Sequence, residues 1–227
     1  MRNDLTTAVW WIRRDLRLTD NQTLAAALAR ADQVLPVFVL DTALWRTNGA
    51  EKRQAFLLGG LRRLDADLRA RGSCLVLRQG DPCSQLRALV DEVGAHAAQA
   101  QLGSASPNRI PTPVNVSGIP IPDEPMLPSA VPFAPGEAEA QNRLSQFVDG
   151  DNPPIYRYGE GRNRMALAGT SQLSPYLHFG MLSARQAAVA AYSEIESTPD
   201  TLRAARTSAE TWLNELDGAK GTRAIPS

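Results

Sequence analysis

The chain has 227 residues, 43% of them hydrophobic and 21% charged, which is enough apolar material for one or two domains with buried cores. Its 24 basic and 24 acidic side chains cancel, so the whole chain carries no field that would attract nucleic acid. No apolar run approaches the ~20 residues of a membrane helix, and the N-terminus lacks a signal-peptide core. The spacing of the two cysteines matches no metal site, so we expect a cytoplasmic protein without membrane attachment.

Short apolar runs alternate with helical patterns over the first 98 residues. The apolar runs predict strands at residues 8–12, 34–40 and 74–77. Helices are predicted from an Asp20 N-cap to residue 31, from residue 51 to 71 before Gly72, and from Pro82 through an apolar face of Leu86, Leu89, Val90 and Val93. Such alternation predicts an α/β fold, a Rossmann-like parallel sheet with crossover helices.

A charged loop follows the first predicted strand. Residues 11–21 read Trp-Ile-Arg-Arg-Asp-Leu-Arg-Leu-Thr-Asp-Asn, which is typical of a strand end, a loop and a capped helix. We expect an ion-pair knot that positions this loop, formed by Arg13, Asp15, Arg17 and Asp20. The spacing matches no catalytic set, and the sequence assigns no catalytic residue.

The middle of the chain is rich in proline. Residues 95–103 contain no convincing strand, although the sheet needs another element there. More than half of the 16 prolines fall within residues 104–135, which predicts an extended, partly polyproline connector. We therefore predict an α/β domain at residues 1–98, a linker at 99–135, a helical domain at 136–216 and an aberrant tail at 217–227. Within the helical domain, helices are predicted at residues 136–148, 183–195 and 202–216.

A loop rich in hydroxyl groups lies inside the helical part. Residues 169–180 read Gly-Thr-Ser-Gln-Leu-Ser-Pro-Tyr-Leu-His-Phe-Gly. Small hydroxyl residues beside a glycine allow backbone and side-chain donors to converge on a phosphate, and the apolar residues that come next suit a buried platform. His178 has no partner at the spacing of a general base or a metal ligand. We therefore predict an anion-binding loop, a packed structural role for His178, and no metal site.

These two motifs resemble those of one protein family. Residues 11–21 are similar to the opening signature of the photolyase N-terminal domain, and residues 169–180 closely resemble the flavin-phosphate motif of DNA photolyases and cryptochromes. The resemblance implies that the helical domain binds FAD and is present here only in part. It also implies that the α/β domain lacks its last strand and helix. Because that stretch includes residues that hold a folate or deazaflavin antenna in some members, its absence argues against a bound antenna chromophore.

The resemblance also assigns individual residues. It implies that Tyr158 packs against the flavin and that Leu173 mainly packs, while neighbouring loop residues hold the diphosphate. The cofactor-binding set is then Tyr158, Thr170, Ser171, Gln172, Leu173 and Ser174. Arg162 would face the DNA backbone, and Glu215 lies in a motif that continues, in the family, near the DNA lesion. Taken singly, Tyr158 is more typical of a partly buried aromatic residue at a helix start and Arg162 of a solvated surface charge, but their joint spacing with the loop favours the functional interpretation.

The implied function is light-dependent repair of cyclobutane pyrimidine dimers by electron transfer from reduced FAD, the reaction of a deoxyribodipyrimidine photolyase. The expected partner is DNA containing pyrimidine dimers, bound by a monomer. Two alternatives stay open: a cryptochrome-like flavin photosensor, and a non-catalytic remnant of a photolyase. Fold alone does not choose among them.

Overall fold

A computed structural model describes residues 5–47, 50–94, 107–127, 133–163 and 169–219. The chain forms two compact units. Unit 1 comprises Met1–Glu137 together with Phe179–Met181, and unit 2 comprises Ala138–His178 together with Leu182–Ser227. The domain boundaries expected from the sequence stay predictions.

Unit 1 is built on a three-stranded parallel sheet, which confirms the α/β fold class. The strands are β1 (Thr7–Ile12), β2 (Gln33–Leu40) and β3 (Val76–Gln79), hydrogen-bonded in the order β1-β2-β3. The strand predicted from residue 74 begins two residues later, because the amide of Leu75 donates a hydrogen bond to the Asp65 carboxylate at 2.8 Å instead of joining the sheet. Nearly every side chain of β2 is buried, as expected for a parallel strand covered on both faces.

The helices of unit 1 are α1 (Gln22–Leu28), α2 (Thr42–Thr47), α3 (Glu51–Arg69) and α4 (Pro82–Val93). The N-cap of α1 is Asn21, whose side chain accepts a hydrogen bond from the amide of Leu24 at 3.0 Å. The prediction of Asp20 as this cap was wrong, because Asp20 has a left-handed backbone with φ of 54° and lies one residue too early. Gly72 follows α3 with φ of 75°, as its predicted stop requires.

One face of α4 covers the sheet. Leu89 is fully buried and joins a cluster with Leu35, Val37, Val39 and Val76, against which Leu86 and Val93 also pack. The prediction that Val90 belongs to this face was wrong, since Val90 is exposed. Asp81 caps the helix by accepting a hydrogen bond from the amide of Ser84.

Within unit 1, residues 107–124 of the proline-rich connector are hydrogen-bonded to the sheet and to α3. The amide of Val34 donates to the carbonyl of Pro111 at 2.7 Å, and the amide of Ile119 donates to the carbonyl of Leu77 in β3 at 2.8 Å. At Gly118 the connector approaches so closely that a side chain would begin 3.0 Å from the Leu77 amide nitrogen. This extended segment therefore covers part of the backbone of β3, an edge strand of the sheet among the described residues.

Unit 2 is helical. Its helices are α5 (Glu137–Val148, whose first residue belongs to unit 1), α6 (Tyr158–Gly161), α7 (Ser174–Phe179, whose last residue belongs to unit 1), α8 (Ala184–Ser197) and α9 (Arg203–Ala219). Short 3-10 helices at Pro154–Arg157 and Asp200–Leu202 precede α6 and α9. The predicted end of the last helix at residue 216 was wrong, since α9 continues to Ala219. The rest of the predicted tail lies outside the described residues, among which no helix is long and apolar enough to cross a membrane.

Candidate functional site

Loop 169–174 leads into α7, of which Ser174 is the first residue, and carries the hydroxyl groups predicted to bind phosphate. Leu173 is fully buried and anchors the loop, while Thr170 and Ser174 are exposed and Ser171 is half-buried. Among the described residues, the hydroxyls of Thr170, Ser171 and Ser174 have no hydrogen-bond partner. Three neighbouring donors next to a buried anchor are thus accessible to an anion.

Two glycines hold this loop against α6. A side chain on Gly169 would begin 2.5 Å from the carbonyl oxygen of Gly161, and one on Gly161 would begin 3.0 Å from the Cα of Gly169. Only glycine allows such a close backbone approach. The contact brings the start of the loop next to the C-terminal end of α6, the helix that begins at Tyr158.

Tyr158 begins α6 and is 7% exposed. Its ring packs edge-on against Phe147 at 6.0 Å between centroids, and Phe147 in turn lies 5.0 Å from Trp212. Burial raises the pKa of the Tyr158 hydroxyl, while the nearby Arg162 guanidinium acts in the opposite direction. The Tyr158 ring is therefore part of an apolar aromatic cluster with Phe147 and Trp212.

Glu215 on α9 contacts both Tyr158, the first residue of α6, and Arg162, the residue that follows the end of α6. Its carboxylate accepts a hydrogen bond from the Tyr158 hydroxyl and forms an ion pair with Arg162. The Arg162 and Glu215 side chains are 36% and 45% exposed, so both are accessible to solvent. Ser208 reinforces the junction, because its hydroxyl accepts from the Gly159 amide at 2.9 Å and donates to the Ile155 carbonyl at 2.8 Å.

Sequence reasoning missed several contributors to this region. Arg143 on α5 donates a hydrogen bond to Gln172 at 3.1 Å, and Gln172 itself has a left-handed backbone. In the sequence, the four-residue spacing of Glu139 and Arg143 indicates only a local ion pair on one helix.

The interpretation of His178 as a packed residue was wrong, since it is exposed on α7. Among the described residues, no group of three His, Cys, Asp or Glu side chains could hold a metal ion.

The charged loop of residues 11–21 contacts Phe179 and Gly180, the last two residues of the phosphate motif, which belong to unit 1. The amide of Leu16 donates to the carbonyl of Phe179 at 3.3 Å, and Arg17 donates to the carbonyls of Gly180 and Asp20 at 3.0 Å each. Asp15 accepts from the Arg13 amide at 2.9 Å and also from the side chains of Trp10 and Asn21. These contacts hold the charged loop largely through backbone groups, and the ion-pair knot expected from the sequence stays a prediction.

A cleft lies in unit 1 at the carboxyl ends of β1 and β2. It has a volume of about 720 Å³, and its walls include Trp11, Arg13, Phe38, Asp41 and Pro82. The guanidinium of Arg13 lies over the Trp11 ring, 4.7 Å from its centroid. Open α/β sheets commonly bind ligands in crevices at this end of their strands.

Comparison with known proteins identifies the family. The model of the family described as DNA photolyase matches residues 8–106. The deoxyribodipyrimidine photo-lyase of Streptomyces griseus is 29% identical over 80% of this chain and 54% of its own length. An uncharacterised 31.6 kDa protein of Synechococcus sp. (strain PCC 6716) is 30% identical over 92% of this chain and 96% of its own length. The chain belongs to the DNA photolyase/cryptochrome family, and it spans about half the length of the curated photolyases it matches.

Solved structures agree in fold. A class III photolyase from Agrobacterium tumefaciens superimposes with a TM-score of 0.74 at 21% identity, over 95% of this chain and 58% of its own. A cryptochrome from Synechocystis sp. PCC6803 gives a TM-score of 0.77 at 19% identity, over 97% and 61%. At this level of identity, the likeness shows the α/β unit followed by a helical region.

Proposed function

We propose that this protein takes part in light-dependent repair of cyclobutane pyrimidine dimers in DNA, with FAD as its cofactor. The observation that carries the proposal is the cluster of three unpartnered hydroxyls, Thr170, Ser171 and Ser174, on a loop held against α6 by the Gly161–Gly169 contact. A diphosphate is the ligand that such a loop would suit best, and the family binds FAD. The repair activity of the matched photolyases, which are about twice as long, supports the choice of substrate.

The residues present fit the diphosphate of FAD. Thr170, Ser171 and Ser174 would donate hydroxyl hydrogen bonds to it, and Leu173, already fully buried, would keep the loop in place. Tyr158 would lie beside the cofactor, with its hydroxyl held by Glu215. When bound and reduced, FAD supplies the light-driven electron that splits the two carbon–carbon bonds of the dimer and is then returned, so the reaction is redox-neutral.

Arg162 and Glu215 would contact the DNA. A guanidinium that is 36% exposed can exchange part of its ion pair for a phosphate oxygen, because arginine has five donors in a planar fork. The Glu215 carboxylate keeps that fork oriented from α9. In this arrangement Arg162 positions the backbone of the damaged strand. The affinity for DNA should therefore fall as the salt concentration rises.

The test separates the flavin loop from the DNA contact. The purified chain is titrated with FAD by fluorescence and with dimer-containing duplex DNA by anisotropy, alongside the variants T170A/S171A and R162A. Hydrogen bonds to charged groups contribute ~1.5–3 kcal/mol each, so T170A/S171A should weaken FAD binding at least about tenfold and spare DNA. R162A should spare FAD and weaken DNA with a shallower salt dependence. FAD binding that is equal in parent and T170A/S171A would overturn the assignment of the loop.

The alternatives differ in the reaction that the bound flavin undergoes in light. A photolyase restores dimer-free DNA under blue light with reduced flavin, whereas a cryptochrome-like photosensor changes the redox state of its flavin in light without repair. A non-catalytic remnant shows neither. Illuminating the FAD-loaded chain with a dimer-containing oligonucleotide, and monitoring dimer loss together with the flavin spectrum, separates the three.

The cleft of unit 1 favours a second ligand, contrary to the expectation from the sequence, which argued against a bound antenna chromophore. An archaeal photolyase of the same fold, from Sulfolobus tokodaii, was described with two FAD molecules and a light-harvesting role for one of them, with a TM-score of 0.66. Here, Trp11 and Phe38 would flank an aromatic ring system, while Arg13 would meet an anionic group. An antenna chromophore bound in this cleft should be held more weakly in an Arg13→Ala variant, which changes an exposed side chain of the cleft, while FAD binding at loop 169–174 is retained.

A further inference from the structure

We infer that Arg143 is a positioning residue for loop 169–174, acting by holding Gln172 in a left-handed backbone conformation. The hydrogen bond between Arg143 and Gln172 is present without a ligand. Its effect on the affinity for a diphosphate rests on the proposed function. Arg143 lies on α5, outside both the charged motif and the phosphate motif of the sequence.

Gln172 has an unusual backbone. Its φ is 54°, and among the described residues only Asp20 shares a positive φ without being glycine. A residue with a Cβ disfavours this region, because the Cβ crowds the following carbonyl oxygen. Gln172 is exposed, so burial of its own side chain does not enforce the conformation. Another interaction must select it.

Arg143 provides that interaction. Its Nη1 donates a hydrogen bond to Oε1 of Gln172 at 3.1 Å, while its Nε donates to Oε1 of Glu139 at 2.7 Å. The guanidinium also lies 5.8 Å from the ring centroid of Tyr176, a fully buried residue of α7. The Arg143 side chain is only 20% exposed. Contacts on α5 and α7 thus fix the guanidinium, and its Nη1 reaches the side chain of the strained residue.

The consequence falls on the neighbouring residues of the loop. Gln172 lies between Ser171 and the buried anchor residue Leu173. A change of φ at position 172 therefore rotates the Thr170 and Ser171 hydroxyls relative to Leu173. With Arg143 in place, the loop is held in one conformation before any ligand binds. Such preorganisation increases affinity without a direct contact between Arg143 and the ligand.

Two substitutions at one position separate this mechanism from general damage. Gln172→Ala and Gln172→Gly both remove the acceptor for Arg143 and leave the Glu139 pair intact, but only glycine adopts a positive φ freely. We expect exchange of the Leu177 amide, which donates to the Leu173 carbonyl at 3.0 Å where the loop enters α7, to rise about tenfold in Gln172→Ala and to stay within about threefold of the parent in Gln172→Gly. FAD affinity should fall more in Gln172→Ala than in Gln172→Gly. Amides in the middle of α8 serve as the internal reference.

Arg143→Ala completes the cycle. It should loosen the loop about as much as Gln172→Ala in the parent, and should add little in the Gln172→Gly background. Equal exchange of the Leu177 amide in Gln172→Ala and the parent would overturn the inference. A full loss of FAD affinity for Arg143→Ala in the glycine background would overturn it too, since Arg143 would then bind the ligand directly. If the parent binds no FAD, the proposed function fails, and the exchange data still decide the role of Arg143.

Discussion

The hydroxyl of Tyr158 donates a hydrogen bond to the carboxylate of Glu215, 57 residues later in the chain. Because the same carboxylate pairs with Arg162, one acidic side chain on α9 fixes both the start of α6 and the residue just after its end. The ring of Tyr158 is meanwhile packed on Phe147 from α5. The candidate flavin residue and the candidate DNA residue therefore share a single structural support.

This shared support predicts a measurable coupling. Glu215→Ala should destabilise unit 2 by about 1 kcal/mol, a value below that of a buried charged hydrogen bond because the carboxylate is half-exposed. Tyr158→Phe should cost a similar amount, and the two changes together should cost clearly less than their sum. Glu210→Ala, on the same helix, serves as the control because its ion pair with Arg206 is local and exposed. Additive costs, measured by urea unfolding, would show that the hydrogen bond contributes no stability.

A second prediction concerns Gly180, where the phosphate motif meets the charged loop. Its φ is 68°, and an added side chain would overlap the carbonyl oxygen of Arg14. Gly180→Ala should therefore cost about 2–5 kcal/mol, from the left-handed backbone and the overlap together. Gly72 is the matched control, with φ of 75° and open space around the added Cβ, so Gly72→Ala should cost only about 1–2 kcal/mol. Equal losses of stability would show that Arg14 moves aside.

The parts of the structure predicted from the sequence are those set by local patterns. The apolar runs at 8–12 and 34–40 correspond to β1 and β2, because a buried parallel strand needs little more than a continuous run of apolar side chains. The helix Thr42–Thr47 was missed, since six residues are too few to establish a period. The N-cap of α1 was placed one residue early because Asp and Asn are equally good caps, and the backbone angle of Asp20 decided between them.

The support of the candidate site could not be predicted in the same way. The pairs Arg143–Gln172 and Tyr158–Glu215 join residues far apart in the chain, and no period records such pairs. The approach of Gly161 to Gly169 depends on two backbones meeting, for which a glycine in the sequence is only a weak indication. The sequence therefore predicted a set of ligand-binding residues but not how they are held.

A third prediction concerns the connector along β3. Ile119→Pro removes the amide that donates to the Leu77 carbonyl and should cost unit 1 about 1–3 kcal/mol. Ile119→Ala keeps that amide and trims a side chain that is 38% exposed, so it should cost less than Ile119→Pro. Limited proteolysis should cut the connector faster in the proline variant alone. Equal cleavage in the two variants would show that the Ile119 amide does not hold the connector on β3.

The last prediction concerns alkaline pH. Burial raises the pKa of Tyr158 and of Tyr176 above the ordinary tyrosine value of 10.0, so near that pH the unfolded chain loses these protons while the folded chain keeps them. Their contribution to stability is fully present below pH 10 and is lost as the pH rises through the folded-state pKa.

The urea midpoint of unit 2 should accordingly fall above pH 10, with a slope of at most about 1.4 kcal/mol per pH unit for each tyrosine. Tyr176→Phe should flatten this decline, because phenylalanine keeps the buried ring and carries no proton to release. Tyr192→Phe changes an exposed ring on α8 and controls for the loss of a hydroxyl as such. A decline of the same steepness in the parent and in Tyr176→Phe would show that Tyr176 does not contribute to alkaline unfolding.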